Sequence, residues 1–431
     1  MTDPLSQPEN PMPYYEWTEI SLHNQTSDCW VVIDGLVYDV TTWIETHPGG
    51  QLISTLAGED VSTMFYSVHF RDISLDLQHY LIGRVGEYQV KQDVRSDFHQ
   101  VLKHRVFSFF QQNRIDYRST NKLRIQLAVS LLIFLFSWCL LWILEWWPAA
   151  VFMGLISCAM VGGFAHEYSH NNLIRNGNKD NLNSRLISLI WSCVCPFMFE
   201  KQFQYEHFKH HMAPMDAEQD YEIMALSHFI RLSPAIHWKP TFRFQQWYAP
   251  VVYMYYITIQ VIGGAFYNRY FSMRKLRSDP AFFFQMYPAT AITVVLHVIL
   301  PVYFCGWVYW LIGFLVYNAV WQFSTYMVAA VPHMAESNTT ESTDWAFRSC
   351  FYTRNVLCGN WFYDWLSGGF NYQIEHHLLP SIARENLSKI SPIVRKTCLE
   401  YGYPYYEYGR FRDYLMDHYH YLKKLGIETT G

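Results

Sequence analysis

Three histidine clusters lie beside long apolar runs in this chain: HEYSH at 166–170, HFKHH at 207–211 and QIEHH at 373–377. Together they hold seven of the 19 histidines found in 431 residues. Residues three or four apart share one face of a helix, so the imidazoles within a cluster can converge on a single point. One such cluster alone is compatible with surface histidines on a helix, whereas three together indicate a metal site.

The residue types narrow the choice of metal. Neutral imidazole binds iron, copper and zinc, and structural zinc sites usually include thiolates, of which the clusters contain none. Seven imidazoles also exceed the four positions of one tetrahedral shell, so two metals would be needed to use the whole set. Two neighbouring irons can activate dioxygen. The clusters therefore predict an oxidative two-metal centre at a membrane surface.

The composition fits a membrane protein and gives no support for nucleic-acid binding. Apolar residues make up 51% of the chain and aromatic residues 18%, and they are concentrated in runs between polar segments. The net charge is −5, whereas nucleic-acid binding calls for a basic stripe or patch. The nine cysteines form no C-x-x-C pair, so we expect reduced core thiols. The opening segment lacks a basic and apolar leader pattern, which predicts an N-terminus that stays in the cytosol.

The N-terminal segment has the pattern of a small soluble domain. DCWVVIDGLVYDV at 28–40 alternates apolar and polar residues around Asp34-Gly35, which predicts a β-hairpin. HPGG at 47–50 and AGED at 57–60 follow it, and then come Phe65 and His69.

In this order of motifs, the segment resembles cytochrome b5. The resemblance implies an α+β haem domain at 15–90, in which His47 and His69 are the axial ligands of haem b. Two axial imidazoles leave the iron no open position and suit it to electron transfer. A b5-like interaction module without haem is the alternative.

The remaining chain predicts a short linker and a helical membrane domain. Residues 91–124 are polar and basic, and we interpret them as a linker or amphipathic segment against the cytosolic face. In the domain that follows, at 125–431, four apolar runs are long enough to cross a bilayer. We place these spans at about 125–144, 149–165, 281–304 and 306–331.

A further apolar run at 249–267 is interpreted as an interfacial or re-entrant helix. Basic residues flank it on both sides, which places both of its ends on the cytosolic side. The number of crossings between HEYSH and QIEHH must also be even. If all three later apolar runs crossed, QIEHH would lie on the opposite side of the membrane from HEYSH. Four spans leave both termini cytosolic.

A b5-like domain ahead of these clusters resembles the front-end acyl desaturases of the membrane fatty acid desaturase family. GGFNYQIEHHLLPSIAR at 368–384 is similar to the third histidine box of that group, and the resemblance covers nearly the whole chain. Ordinary desaturases begin this box with His, whereas this chain has Gln373. The resemblance implies an all-α membrane domain in which a cytosolic histidine-box cap holds a di-iron centre.

The resemblance also implies the metal ligands, with no catalytic residue beyond them. The proposed set is His166, His170, His207, His210, His211, His333, Gln373, His376 and His377. His333 occupies the place of an extra family histidine after the last span, and a capping or surface histidine is the alternative. Gln373 either binds metal weakly or positions a water. Three acidic residues are candidates to orient the imidazoles by accepting hydrogen bonds from them: Glu167, Glu206 and Glu375.

The implied activity is insertion of a cis double bond into a long-chain polyunsaturated acyl chain. The new bond would lie between an existing double bond and the carboxyl end, in delta-5 or delta-6 fashion. Dioxygen is the co-substrate, and electrons would pass from NADH through NADH–cytochrome b5 reductase and the fused haem domain. Expected partners are a long-chain acyl-CoA or phospholipid, the reductase and membrane lipids, at the endoplasmic reticulum membrane.

Three other functions are compatible with these motifs. A sphingoid-base desaturase of delta-8 type shares both the fused domain and the Gln box. An iron hydroxylase is possible because oxygen rebound competes with abstraction of the second hydrogen. A membrane-anchored haem electron carrier with inactive boxes is the non-enzymatic alternative. Two residues in the second box, Phe208 and Lys209, depart from the family pattern without removing a ligand.

Overall fold

The computed structural model describes most of the chain. The described residues are 12–47, 50–70, 73–90, 92–118, 121–170, 189–196, 198, 200–258, 288, 290–334 and 340–427.

The N-terminal unit is built on a mixed sheet. Its strands are β1 (Tyr14–Tyr15), β2 (Asn24–Gln25), β3 (Asp28–Ile33), β4 (Leu36–Asp39), β5 (Glu59–Asp60) and β6 (Leu81–Val85). They are paired in the order β1-β6-β4-β3-β2, and β5 pairs with β3. The predicted hairpin is confirmed, since β3 and β4 are antiparallel around Asp34 (φ 51°) and Gly35 (φ 77°). Two positive φ angles are those of a tight hairpin turn.

Short helices and turns pack on both faces of this sheet. They are α1 (Trp17–Ile20), a 3₁₀ turn (Gly50–Leu56), α2 (Ser62–Val68), α3 (Ser74–Leu77) and a 3₁₀ turn (Gln78–Tyr80). His47 follows the hairpin, and His69 is the C-cap of α2. Buried Cys29, Val31 and Val40 form the core between the sheet and the helices. The unit is therefore α+β, as predicted.

Helix α4 (Asp97–Asn113) lies in the predicted linker, but it is part of a core. Its side chains Phe98, Leu102, Val106 and Phe110 are buried in one cluster with the inner face of a later helix, α15 (Arg384–Tyr401). Their spacing of four residues places them along one face. The basic residues of the segment lie around this stripe and obscured it in the sequence pattern.

Three helical segments are long and apolar enough to cross a membrane: Leu123–Trp142, Pro148–Ser169 and Thr290–His333. The first belongs to α5 (Asn121–Trp142). The second comprises α6 (Pro148–Met160), a π-helical turn (Val161–His166) and α7 (Glu167–Ser169). The third contains a π-helical turn (Val295–Ile299), then α11 (Leu300–Ala329) and a 3₁₀ turn (Val331–His333).

The third segment reverses direction within its 44 residues. Gly306 has non-helical angles (φ 75°, ψ 162°), and the indole of Trp310 donates to the carbonyl of His297 at 2.6 Å. Residues 13 apart would be about 20 Å apart along a continuous helix. The reversal lies where the sequence predicts a turn between two spans. The count of four crossings stays a prediction, and residues 281–287 and 259–267 of the apolar runs lie outside the described residues.

The other helices form a cap around the ends of the apolar helices, here called the polar cap. They are α8 (Glu200–Met212), α9 (Tyr221–Met224), α10 (Gln245–Tyr253), α12 (Trp345–Tyr352), α13 (Trp361–Ser367), α14 (Gln373–Leu378), α15 and α16 (Phe411–Leu425). A 3₁₀ turn (Pro240–Phe244) precedes α10, and the short strands β7 (Asn355–Val356) and β8 (Glu407–Tyr408) pair in parallel.

Two glycines let the second apolar segment reach the polar cap. A Cβ on Gly162 would lie 2.2 Å from the carbonyl oxygen of Ser367, and a Cβ on Gly368 would lie 2.4 Å from the nitrogen of Gly163. Backbone therefore packs on backbone where the π-helical turn meets the end of α13. Such turns often accompany functional sites, and this one ends at His166.

We predict that Gly162→Ala destabilises the protein by about 1–3 kcal/mol, because the added methyl group must push apart two backbones. The measurement is the midpoint of thermal unfolding of the detergent-solubilised protein. Gly409→Ala is the control, since its Cβ would meet nothing within 4 Å. Equal midpoints for the two variants would contradict the close packing.

Candidate metal centre

Five histidines from three parts of the chain meet at one buried point. The Nε2 atom of His376 lies 2.9 Å from that of His166 and 2.9 Å from that of His211. The Nε2 atom of His207 lies 3.0 Å from that of His211 and 2.9 Å from that of His170. One potential ligand atom from each of the five lies within 4.8 Å of all the others. We call this set the first group.

The spacing of the first group fits a coordination shell. Two imidazole nitrogens at right angles on one metal, each about 2.1 Å from it, lie about 3.0 Å apart. Burial, with neighbouring imidazoles, holds the pKa of His207, His211 and His376 well below the usual histidine range. These side chains are therefore neutral near pH 7, which is the form that offers a lone pair to a metal.

The second group consists of His210, His333 and His377, and it adjoins the first. The Nε2 atoms of His210 and His333 lie 3.3 Å apart, and the rings of His211 and His377 stack with centroids 4.3 Å apart. In both α8 and α14, one histidine of the consecutive pair belongs to the first group and the other to the second. The split offers two adjacent candidate positions for metal ions.

The predicted residues His333 and Gln373 both lie at this second group. The ring centroids of His333 and His377 are 4.6 Å apart. Gln373 donates from its amide to the carbonyl oxygen of Ala329 at 3.3 Å and shares a cavity wall with His333 and His377. All nine residues of the predicted ligand set are thus at the two groups or at their border.

An acidic residue outside the three proposed in the sequence analysis contacts one ligand candidate. Asp220 accepts a hydrogen bond from Nδ1 of His210 at 2.8 Å, and its carboxylate also accepts from the backbone nitrogens of Met215 and Glu222. Burial alone would lower the pKa of His210, but Asp220 and Glu222 raise it to about 9. Asp220 lies at the N-cap of α9, a position typical of Asp.

The three carboxylates predicted to orient imidazoles differ in their contacts. Glu375 accepts from the amide of Asn355 at 2.8 Å and the hydroxyl of Tyr405 at 2.6 Å, which fixes α14 from its outer side. Glu167 accepts from the backbone nitrogen of Arg384 at 3.1 Å, and its other oxygen is 4.0 Å from Nδ1 of His166. Glu206 accepts from Gln202 at 2.9 Å.

A cavity adjoins both histidine groups. Its wall includes His207 of the first group and all three histidines of the second. The rest of the wall is mainly apolar, with a few polar groups: Val161, Met198, Gln202, Phe203, Glu206, Glu222, Tyr256, Ile257, Thr325, Tyr326, Ala329, Ala330, Phe370 and Gln373. An apolar cavity with a few convergent polar groups is typical of a small-molecule site, and this one suits a hydrocarbon chain.

A separate pair of histidines lies in the N-terminal unit. The ring centroids of His47 and His69 are 6.3 Å apart. Imidazoles on opposite sides of one metal, with bonds of about 2.0 Å, place their centroids about 6.3 Å apart. Nδ1 of His69 contacts the carbonyl oxygen of Phe65 at 2.8 Å, which leaves Nε2 as the nitrogen for a metal. The pair fits the axial positions of a haem.

Comparison with known proteins identifies both parts of the chain. The profile of the family described as "Fatty acid desaturase" matches residues 144–409, more than half of the chain. The chain belongs to the fatty acid desaturase family. The profile described as "Cytochrome b5-like Heme/Steroid binding domain" matches residues 16–86. This oxidoreductase therefore carries an N-terminal cytochrome b5-like domain, as the resemblance implied.

Several relatives of this desaturase match along most of their length. An acyl-lipid (8-3)-desaturase of Physcomitrium patens is 26% identical over 97% of this chain and 92% of its own. A delta(5) fatty acid desaturase A of Dictyostelium discoideum is 25% identical over 96% of this chain and 94% of its own. A fatty acid desaturase 2-like protein of Mus musculus is 24% identical over 91% and 81%, respectively.

We predict that Asp220→Asn weakens binding of Fe²⁺ about 10- to 100-fold, because the loss of an outer hydrogen-bond partner lowers the basicity and order of a ligating imidazole. Iron affinity is measured by competition with a chelator. Glu218→Gln, two residues away and exposed, is the control. Equal affinities for the two variants would exclude a role of Asp220 at the metal.

Proposed function

We propose that the protein is a front-end desaturase. It inserts a cis double bond into a long-chain polyunsaturated acyl chain, between an existing double bond and the carboxyl end, with delta-5 or delta-6 regiochemistry. Dioxygen is the co-substrate, and electrons from NADH reach the site through NADH–cytochrome b5 reductase and the b5-like domain. The observation that carries the proposal is the pair of adjacent histidine groups at the wall of a largely apolar cavity.

In this proposal each histidine group holds one iron. The five imidazoles of the first group bind one ion, and His210, His333 and His377 bind the other, with Gln373 beside it. When bound, the two irons supply dioxygen activation and removal of two hydrogens from neighbouring methylenes. Every ligand is an uncharged side chain, except that His210 must release its proton toward Asp220 or solvent before it can bind.

The protein's own residues supply position and exclusion of water. Val161, Phe203, Ile257 and Phe370 hold the acyl chain by apolar contact, so that a methylene lies beside the two groups. The eight histidines are buried, which keeps bulk water away from a reactive centre. The wall also has polar residues, among them Glu206, Glu222 and Thr325. We propose that these contact an unsaturated part of the acyl chain and not a saturated tail.

Electron entry is assigned to the b5-like domain. His47 and His69 hold haem b, and this domain packs directly on α8, the helix of the second histidine box. A donor fused to its acceptor is always present at a high local concentration. Fusion thus favours one-electron delivery without a diffusional encounter.

The membrane arrangement that we propose has four crossings, with both termini in the cytosol, at the endoplasmic reticulum. The reversal at Gly306 supports two crossings in the third apolar segment. The front-end substrate class is supported by the relatives, which include enzymes named as (8-3)- and delta(5) desaturases. The substrate that we propose is a long-chain acyl-CoA or phospholipid, and sphingoid bases are tested beside both.

We predict that yeast expressing the chain, fed 18- and 20-carbon polyunsaturated acids, forms a product with a new double bond on the carboxyl side of an existing one. His376→Ala should remove the product, because His376 contacts two other histidines of the first group. His104→Ala, at an exposed position of α4, should leave it unchanged. The product is located by mass spectrometry of derivatised fatty acids. A change confined to sphingoid bases would instead identify a sphingolipid desaturase.

The haem assignment gives a separate prediction. His69→Ala should lose the haem absorbance band and the desaturated product, while iron bound to the polar cap stays at the level of the unaltered protein. The two cofactors are bound by different domains, so their contents should vary independently. Haem is measured by absorbance, and the iron of the polar cap is the total iron from elemental analysis of the same sample minus the haem iron. Full haem content in this variant would refute the axial role of His69.

A further inference from the structure

Helix α8 makes contacts on two faces, and the metal centre accounts for the residues of only one of them. His207, His210 and His211 lie on the face toward the other histidines, whereas Tyr205 and Lys209 lie toward the b5-like domain. Lys209 is a residue of the second histidine box that no metal role explains. The residues of this second face contact the b5-like domain.

A single carboxylate of the b5-like domain engages both Tyr205 and Lys209. The hydroxyl of Tyr205 donates to Oε1 of Glu59 at 3.0 Å, and the ammonium of Lys209 forms an ion pair with Oε2 of the same side chain. Tyr205 is fully buried, and the side chains of Glu59 and Lys209 are each 17% exposed. The ion pair is therefore mostly shielded from water, where charge and geometry count for more than at an open surface.

Apolar side chains surround this polar contact. Leu56 and Met64 of the b5-like domain pack with Tyr205, Phe208 and Tyr221 of the polar cap, and all five are buried. Phe208 also lies against the first histidine group, since its ring centroid is 6.1 Å from that of His170. The surface that receives the b5-like domain is thus continuous with the side chains around the metal centre.

A second contact fixes the orientation of the same domain. Lys103 of α4 donates to the carbonyl oxygens of Tyr66 at 3.1 Å and His69 at 3.3 Å, at the C-terminal end of α2. A cation at this end of a helix is favourable, because the carbonyl groups there carry partial negative charge. Helix α2 is therefore held from α4 at one end and packs on α8 through Met64.

We propose that Glu59, Lys209 and Tyr205 form a docking latch that holds the b5-like domain in one orientation on the second histidine-box helix. The proposal rests on the proposed function for its biological purpose, which is a fixed path for electrons from the haem domain. Residues 86–96 tether the domain closely, so the local concentration already favours contact. The latch therefore selects which face of the domain meets α8, and Lys209 is a positioning residue.

The test uses the full-length, haem-loaded protein in detergent and measures amide hydrogen exchange of peptides covering residues 56–68 and 200–212. Glu59→Lys and Lys209→Glu each place like charges together. We expect each change to raise exchange in both peptides about tenfold, and the double exchange of charges to return it to within about threefold of the unaltered protein. Glu87→Lys and Lys423→Glu, at exposed positions, are matched controls.

A second readout is the first-order rate at which the reduced haem is reoxidised in air with substrate present. It should fall in both single variants and recover in the double variant, while chemical reduction of the haem is unaffected. If a charge-reversed variant loses its haem band, Glu59→Gln and Lys209→Met replace it, with the same direction expected.

Unchanged exchange in the single variants, or exchange in the double variant as fast as in the singles, would overturn the latch. Desaturated product is measured in the same samples, so the two proposals fail separately. Normal product with unchanged exchange would reject the latch and leave the function standing. If exchange rises in the single variants and recovers in the double variant, but the unaltered protein forms no product, the latch stands and the proposed function is rejected.

Discussion

Eight buried imidazoles must share one small volume, and the positions of four separate chain segments depend on that requirement. Burying a polar nitrogen without a partner is costly, so a cluster of neutral imidazoles is a stable arrangement chiefly when metal ions satisfy their lone pairs. Two of these segments are held by hydrogen bonds from outside the cluster. Asp220 holds His210, and Asn355 with Tyr405 holds α14 through Glu375. Hydrogen bonds within the polar cap thus position the helices that carry the candidate ligands.

Much of the fold and of the histidine site was predictable because the sequence patterns that mark them are local. The hairpin at 28–40 follows from alternation and a turn dipeptide, and the histidine groups follow from three- and four-residue spacing. His333 was placed by the family resemblance, and the structure brings it 4.5 Å, between ring centroids, from His210. The apolar stripe of α4 was also present in the sequence, at every fourth residue, but the surrounding basic residues outweighed it in the interpretation.

The sequence could not predict contacts between residues that are distant along the chain. Asp220 follows His210 by ten residues, and only the turn between α8 and α9 returns it to that imidazole. Glu59 and Lys209 are 150 positions apart, and neither has a local pattern that marks it as a contact. Of the three carboxylates chosen by proximity to the boxes, Glu375 is held by Asn355 and Tyr405, whereas Glu206 lines the cavity and Glu167 lies 4.0 Å from Nδ1 of His166. Adjacency in sequence is a poor guide to which oxygen faces an imidazole.

The same contacts constrain how the chain crosses a bilayer. Glu59 precedes the first apolar helix and Lys209 follows the second, so an ion pair between them requires both to lie on one side of the membrane. His210 and His377 stand before and after the third apolar segment, with ring centroids 4.9 Å apart. With the run at 249–267 not crossing, as proposed, a single crossing in the third segment would separate them by a hydrocarbon layer of about 30 Å. An even number of crossings satisfies both contacts, which is why the reversal at Gly306 argues for two crossings in the third segment rather than one.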